Sequence, residues 1–406
     1  MKKIFDLSWL NKNILGFGIA SLLSDMGHEM AIAILPAFLI TLVGPASAPK
    51  LLGIISGASD AAASFFKIFS GMLSDRLQLR KPFIVIGYAV EGIFVGILGF
   101  AHSWKVILWD KTIAWLGKGM REPARDAFIV ESIDPQFYGR AFGFHRAMDT
   151  IGAIIGPLLG FLLVSFVSLK TLFLLTLLPS LGSMLAIIFL TTEEKKNPVK
   201  KTFELTALGQ LKAMPRSFLY FAFVMLIFGC GNFNKMLIML HAQNMLRMGN
   251  NFVTTTGFVL LLYTLFSIAR SIAEYIIGFL SDFFGRIYLL AFVGFGLFGV
   301  VCLLMMLPFK ALSFYILIFV LAGISTAAVT ALEKAYAADL LPEQIRGTGY
   351  GFLQMIDGIG DLISSIIVGF LWSAISPLLG FTYAALLSFI SLVLLLFFFA
   401  PRVRTV

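Results

Sequence analysis

Twelve apolar stretches separated by polar breaks constrain this chain more than any other feature. They lie near 13–43, 50–73, 83–101, 106–128, 141–165 and 170–191, then near 217–246, 253–280, 289–308, 311–338, 348–373 and 378–399. A helix needs only about 20 apolar residues to cross the hydrocarbon core of a bilayer, so lipid is the solvent in which this sequence folds. Composition agrees. Hydrophobic residues make up 59% of the chain and charged residues 13%, against about a quarter charged in soluble domains. The expected class is an all-α membrane protein of 12 transmembrane helices. The first stretch, behind Lys2 and Lys3, runs too long for a signal peptide and is expected to stay as a span.

An even number of spans puts both termini on one side, and charge bias decides which side. Connectors on the terminal side carry Lys2, Lys3, Lys12, Arg76, Arg80, Lys81, Arg140, Lys195, Lys196, Lys200, Lys201, Lys212, Arg216, Arg286, Arg346, Arg402 and Arg404, whereas the opposite connectors carry Lys50, Lys105, Lys170, Arg247 and Lys310. Both termini are therefore expected in the cytoplasm. The net charge of +9 is scattered over these connectors and does not point to nucleic acid. Cys230 and Cys302 sit in apolar runs as small hydrophobes, and no disulfide framework is implied.

Residues 192–216 form the one long hydrophilic break and divide the chain into 1–191 and 217–406, each a six-helix bundle. Within this linker, Phe203–Met214 is expected as a short helix on the inner leaflet. The halves repeat. At an offset of 207 positions, Gly71-Met-Leu-Ser-Asp75 falls on Gly278-Phe-Leu-Ser-Asp282; at nearly the same offset, Asp149-x-x-Gly152 falls on Asp357-x-x-Gly360. Duplicated six-helix halves are a transporter design, with solute held near mid-membrane.

These residues carry a family resemblance. Gly71-x-Leu73-x-Asp75-Arg76-x-x-x-Arg80-Lys81 is similar to the signature between the second and third spans of the major facilitator superfamily, with Gln78 and Leu79 as departures. The second copy keeps Asp282 and Arg286 but has Phe283 where Arg is expected. The resemblance implies two pseudo-symmetric bundles and a loop that latches the outward-facing state, with Asp75 near Thr348–Gly351. A carboxylate at a helix N-terminus gains about 0.3–1 kcal/mol, a latch that substrate or proton binding can break. In the fifth span, Gly152-x-x-x-Gly156-Pro157-x-x-Gly160 is similar to the glycine-proline motif of the family's exporters and antiporters, with Phe161 where a second Gly usually closes it. Small residues at this spacing let helices approach closely.

Charges inside spans cost about 2.5–3.5 kcal/mol each, so each needs a partner or a water-filled cavity. The fourth span is the densest: Lys118, Arg121, Glu122 and Arg125 share one helical face, with Asp126 beside them. Lys118 and Arg121, the deeper pair, are expected to bind an anionic or zwitterionic group of the solute. Arg125 and Asp126 belong with the gate. In the first span, Asp25, His28 and Glu29 form an i, i+3, i+4 cluster and are the proton-coupling candidates; pairing of Asp25 with Lys235 is the alternative. The seventh span offers Asn232, Asn234 and Lys235 as the second half's contribution to solute binding. Asp149, Arg270 with Glu274, and Asp357 read as gating or structural pairs, and Asp60, Lys67, Glu91, His145, Arg146, Glu333, Lys334 and Asp361 as further intramembrane charges of the same kind.

No G-x-x-x-x-G-K-[S/T] loop is present, so ATP is not the expected energy source. No metal-ligand spacing and no positioned Ser-His-Asp set exists, so neither a metal, a cofactor nor an enzymatic reaction is expected. The expectation is a secondary active transporter of a bacterial-type inner (plasma) membrane, working as a monomer on a small molecule. It would export by proton antiport. The alternatives are a proton symporter importing a nutrient or a metal-chelating organic acid, and a lipid flippase.

Overall fold

The computed structural model describes residues 9–77, 79–134, 137–193, 214–247, 251–342 and 345–399. The expected linker helix Phe203–Met214 lies outside them but for its last residue. Every long element among the described residues is helical. The first helical stretch runs over Lys12–Leu77 and turns at Gly44, whose φ of 76° and ψ of 164° lie outside the helical region. A positive φ of this kind strains any residue with a β-carbon, which is why glycine joins the first two spans without a loop. The spans are α1 (12–43), α2 (45–77), α3 (Lys81–Ile97), α4 (Trp104–Glu131), α5 (Tyr138–Leu163) and α6 (Leu169–Leu190). The second six are α7 (Arg216–Leu246), α8 (Phe252–Phe284), α9 (Arg286–Met305), α10 (Leu312–Leu340), α11 (Arg346–Ala374) and α12 (Pro377–Phe399).

Length and hydropathy alone pick out 10 crossing segments among the described residues. The difference from twelve has two causes. Lys12–Ser74 is one continuous segment holding both α1 and α2. The 28-residue α4 is missing from the ten, and it carries the charges discussed above. Counted this way, the described residues hold twelve helices, consistent with twelve spans.

By their contacts the residues group into two compact units that do not follow the linker: Met1–Val43, Ala58–Lys200 and Asn251–Thr264 form unit 1, and Gly44–Gly57, Lys201–Asn250 and Leu265–Val406 form unit 2. The early part of α2 thus packs with α11: a β-carbon on Gly53 would come 2.1 Å from the Ser365 carbonyl, and one on Gly57 would come 3.0 Å from the Leu362 α-carbon. The early part of α8 joins α1 and α5, with Tyr263 donating to Glu29 and Leu260 against Gly160. Unit 1 packs Phe17, Ile84, Tyr88, Phe128 and Ile187 into its core. Unit 2 stacks Phe228 on Phe295 with ring centroids 4.2 Å apart. Phenylalanines such as Phe166, Phe189 and Phe397 remain exposed, as lipid-facing side chains do.

At helix ends both units repeat one clasp. Arg80, at the start of α3, pairs with Glu131 at the end of α4 (3.2 Å), and Arg286, at the start of α9, pairs with Asp339 near the end of α10. The repeat seen in the sequence is therefore also a repeat of ion pairs.

Candidate functional site

The site in unit 1 depends on how closely α3 and α4 cross. A β-carbon on Gly87 would lie 2.7 Å from the Gly117 carbonyl, and one on Gly117 would lie 2.8 Å from that of Gly87. This approach, which only glycine permits, brings Glu91 of α3 against Arg121 of α4. Glu91 Oε2 accepts from Arg121 Nε at 2.6 Å, and its Oε1 lies 3.0 Å from His28 Nδ1 of α1. Arg121 also donates to the Ser24 hydroxyl at 3.3 Å, and its guanidinium lies 4.3 Å from the centre of the Tyr88 ring. The trio is sealed from solvent: Arg121 is 1% exposed, Glu91 3% and His28 4%. The position of Arg121 differs from the sequence expectation. It was expected to reach a solute, but its charge is committed to Glu91.

Lys118 stays half-buried, its Nζ 3.4 Å from His28 Nε2. The two cations differ because three residues along a helix is a turn of about 300°, which leaves them roughly 60° apart around α4. Asp25 and Glu29 are also half-buried, and the charges acting on Asp25 are Asp149, Lys118, Arg121 and Glu29. Asp149 accepts from Ser21 and lies 3.5 Å from His145. The expected α5 glycines position this group. β-Carbons on Gly152 and Gly156 would come 2.3 Å from the Leu22 and Met26 carbonyls, so α5 lies directly on α1, with Pro157 inside the same helix.

The outward continuation of the α4 face escaped sequence reading. Lys111 is fully buried, 2.7 Å from the Ser59 hydroxyl and 4.2 Å from the centre of the Trp115 ring. The Trp115 indole donates to Asp60 and lies over His28 with centroids 4.6 Å apart. The signal was available: Lys111, Trp115 and Lys118 are spaced i, i+4, i+7 and prolong the stripe already recognised. Lower on the helix, Lys67 pairs with Glu122 at 2.7 Å and Arg125 with Asp126 at 3.0 Å.

In unit 2, α7 is broken. Arg216–Gly231 and Lys235–Leu246 are helical, while residues 232–234 are not. Asn234 caps the second half-helix by accepting from the Met236 N–H at 3.0 Å, and the Ser364 and Ser365 hydroxyls of α11 bond the backbone of Asn232 and Asn234. Lys235 is the first residue of a 12-residue half-helix whose N-terminal end carries partial positive charge. Asn232, Asn234 and Lys235 are all half-buried. Elsewhere in this unit Arg270 pairs with Glu274 at 3.0 Å, and Asp357 hydrogen-bonds Glu333. The side chains of Asp75 and Asp282 lie outside the described part, so the latch expected of Asp75 does too; Arg76 is exposed. No group of three or more His, Cys, Asp or Glu suited to a metal ion occurs among the described residues.

This construction, two six-helix halves repeated in the sequence with charges at matched helix ends, is that of a membrane transporter. The chain belongs to the Major Facilitator Superfamily, which it matches over residues 17–260 and 239–406. It is 33% identical over 388 residues to an uncharacterised MFS-type transporter of Methanocaldococcus jannaschii, covering 96% of this chain and 95% of that protein. A shorter match, 32% over 119 residues and 29% of each chain, is to the multidrug resistance protein MdtH of Escherichia coli. Among solved structures the fold resembles a nucleoside transporter NupG mutant, with a TM-score of 0.75 at 15% identity over 95% of this chain and 98% of that one. The protein is thus a multi-pass membrane transporter and not an enzyme.

Proposed function

We propose that this transporter exports a small organic solute bearing an anionic or zwitterionic group in exchange for protons, working by alternating access in a cytoplasmic-type membrane. The observation that carries the solute assignment is the break in α7, where Lys235 opens a half-helix in the middle of a span. Discontinuous helices in transporters direct such positive ends at anionic substrate groups. Lys118 is the matching cation of unit 1, half-buried where Arg121 is sealed.

Proton coupling falls to Asp25 and Glu29, the half-buried carboxylates of α1. Burial favours the neutral form of a carboxylic acid, and a nearby cation favours the charged form; Asp25 sits among both influences. His28, expected as a third coupling group, serves instead as the link from Glu91 to Lys118. Likeness over part of the chain to a multidrug resistance protein favours export over import. A proton crossing the membrane potential supplies about 2.3 kcal/mol per 100 mV, enough for severalfold expulsion.

The test is flux in proteoliposomes with an imposed pH gradient. Substrate should move against the proton flow, and Asp25→Asn should abolish the dependence on the gradient while exchange of substrate for substrate persists. Lys235→Ala should cut affinity for anionic substrates by about tenfold or more, the loss expected for one charge-assisted contact. Movement of substrate together with protons would overturn the antiport assignment, and equal affinity of Lys235→Ala for an anionic substrate would overturn the solute assignment.

A further inference from the structure

Among the described residues, the clasp shared by the two units is completed differently in each. In unit 1, Arg80 donates to the Ser74 hydroxyl at 2.7 Å as well as pairing with Glu131. The carboxylate of Glu193, just beyond α6, then accepts the backbone N–H groups of Arg80 and Lys81. The negative charge required at this corner comes from the chain itself.

In unit 2 the corresponding corner is a cavity of about 440 Å³ lined by Ser281, Gly285, Arg286, Tyr288, Tyr336 and Asp339. Ser281 is the repeat counterpart of Ser74, and Arg286 lies one position before the place onto which the 207-residue offset carries Arg80. The place of Glu193 in the repeat falls at Ala400, outside the described residues. Arg286 is one-third exposed and bonds Asp339 and the Ala335 carbonyl. The stretch of α8 before Gly285 presents Phe279, Phe283 and Phe284, which are 61%, 68% and 64% exposed.

We infer that this cavity binds a phosphate-bearing group from outside the chain, the headgroup of a lipid in the inner leaflet. A guanidinium and phenol hydroxyls suit phosphate oxygens. Tyrosines favour the membrane–water boundary, and the positive-inside pattern places Arg286 on the cytoplasmic face, where anionic headgroups concentrate. The exposed phenylalanines offer the acyl chains an apolar wall that a soluble phosphate would not need. Asp339 opposes an anion, and its pairing with Arg286 moderates that repulsion.

The test is titration of the full-length protein in mild detergent with short-chain phosphatidylglycerol, glycerol phosphate and dioctanoylglycerol, read by native mass spectrometry and thermal shift. Arg286→Gln should weaken phosphatidylglycerol binding by about tenfold or more, and Tyr336→Phe, which keeps the Arg286–Asp339 pair, by a few-fold. Asp339→Asn should tighten it. Glycerol phosphate should bind more weakly than the lipid and lose affinity with the same substitutions. If it binds as tightly as the lipid, the phosphate site stands and the lipid assignment falls. Unchanged lipid binding in Tyr336→Phe and Arg286→Gln overturns the proposal, as does dioctanoylglycerol binding equal to that of phosphatidylglycerol. Should Arg286→Gln not fold, Tyr336→Phe and Asp339→Asn decide.

Discussion

Replacing Glu91 by leucine removes the one carboxylate that meets Arg121 at 2.6 Å and His28 at 3.0 Å. Arg121 is 1% exposed, so bulk solvent does not reach its charge. The Ser24 hydroxyl at 3.3 Å and the Tyr88 ring at 4.3 Å remain as partners, but neither carries the opposite charge. Breaking a buried ion pair from one side costs about 3–5 kcal/mol, whereas exchanging both partners for apolar residues of similar volume is about neutral or stabilising by 1–4 kcal/mol. Glu91→Leu should therefore lose about 3–5 kcal/mol, and Glu91→Leu with Arg121→Met should recover most of it. His28, still 3.4 Å from Lys118 through its other ring nitrogen, can remain neutral in both variants. Thermal and denaturant unfolding of detergent-solubilised protein, followed by tryptophan fluorescence and assembled as a double-mutant cycle, measures the coupling. A loss below about 1 kcal/mol for Glu91→Leu would mean that water reaches the guanidinium, and the sealed pair would be refuted. A double variant no more stable than the single one would refute the pairing itself.

Two further outcomes follow from the close contacts. Gly156→Ala places a β-carbon 2.3 Å from the Met26 backbone carbonyl and should lower the yield of folded protein in fluorescence-detected size exclusion, while Gly143→Ala, with nothing within 4 Å, should not; equal yields would show that α1 and α5 can separate freely. Glu193→Gln weakens the anion that holds the Arg80 and Lys81 N–H groups, and should cost about 0.5–2 kcal/mol in an unfolding titration, with no loss counting against the clasp.

The fold was legible because the bilayer leaves so few alternatives: backbone polar groups in hydrocarbon must be satisfied within the segment, so an apolar run of sufficient length reads directly as a helix. Even α4, too charged for a hydropathy threshold, was legible from its place in the count and from the helical spacing of its charges. Partner choice was less legible. Lys118 and Arg121 look equivalent in the sequence, and their different fates depend on Gly87 and Gly117 letting α3 come near enough for Glu91 to take the arginine. That contact joins residues thirty positions apart and leaves no periodic trace. The break in α7 left a fainter signal that was read only as polarity. Asn232 and Asn234, poor helix formers that hydrogen-bond locally, follow Gly229 and Gly231, a combination that weakens a helix at that point.

What the two halves share and what they do not share points to a division of labour. The features found in both are at helix ends: an arginine opening the third helix of the half, an acid closing the fourth, and the serine–aspartate step before them. These hold backbone termini at the membrane surface, a task that is the same in any half. The interiors differ. Unit 1 buries a carboxylate, a guanidinium and an imidazole in one contiguous group and leaves Asp25, Glu29 and Lys118 partly exposed beside it, while unit 2 breaks a helix and puts a lysine at the break. Were both halves gripping the solute in the same way, the 207-residue offset would carry Asp25 and His28 onto similar groups. It carries them onto Asn232 and Lys235. A neutral amide cannot load a proton at physiological pH, and a lysine that opens a half-helix favours an anion. The two halves therefore agree at their helix ends and differ in the polar groups their interiors carry.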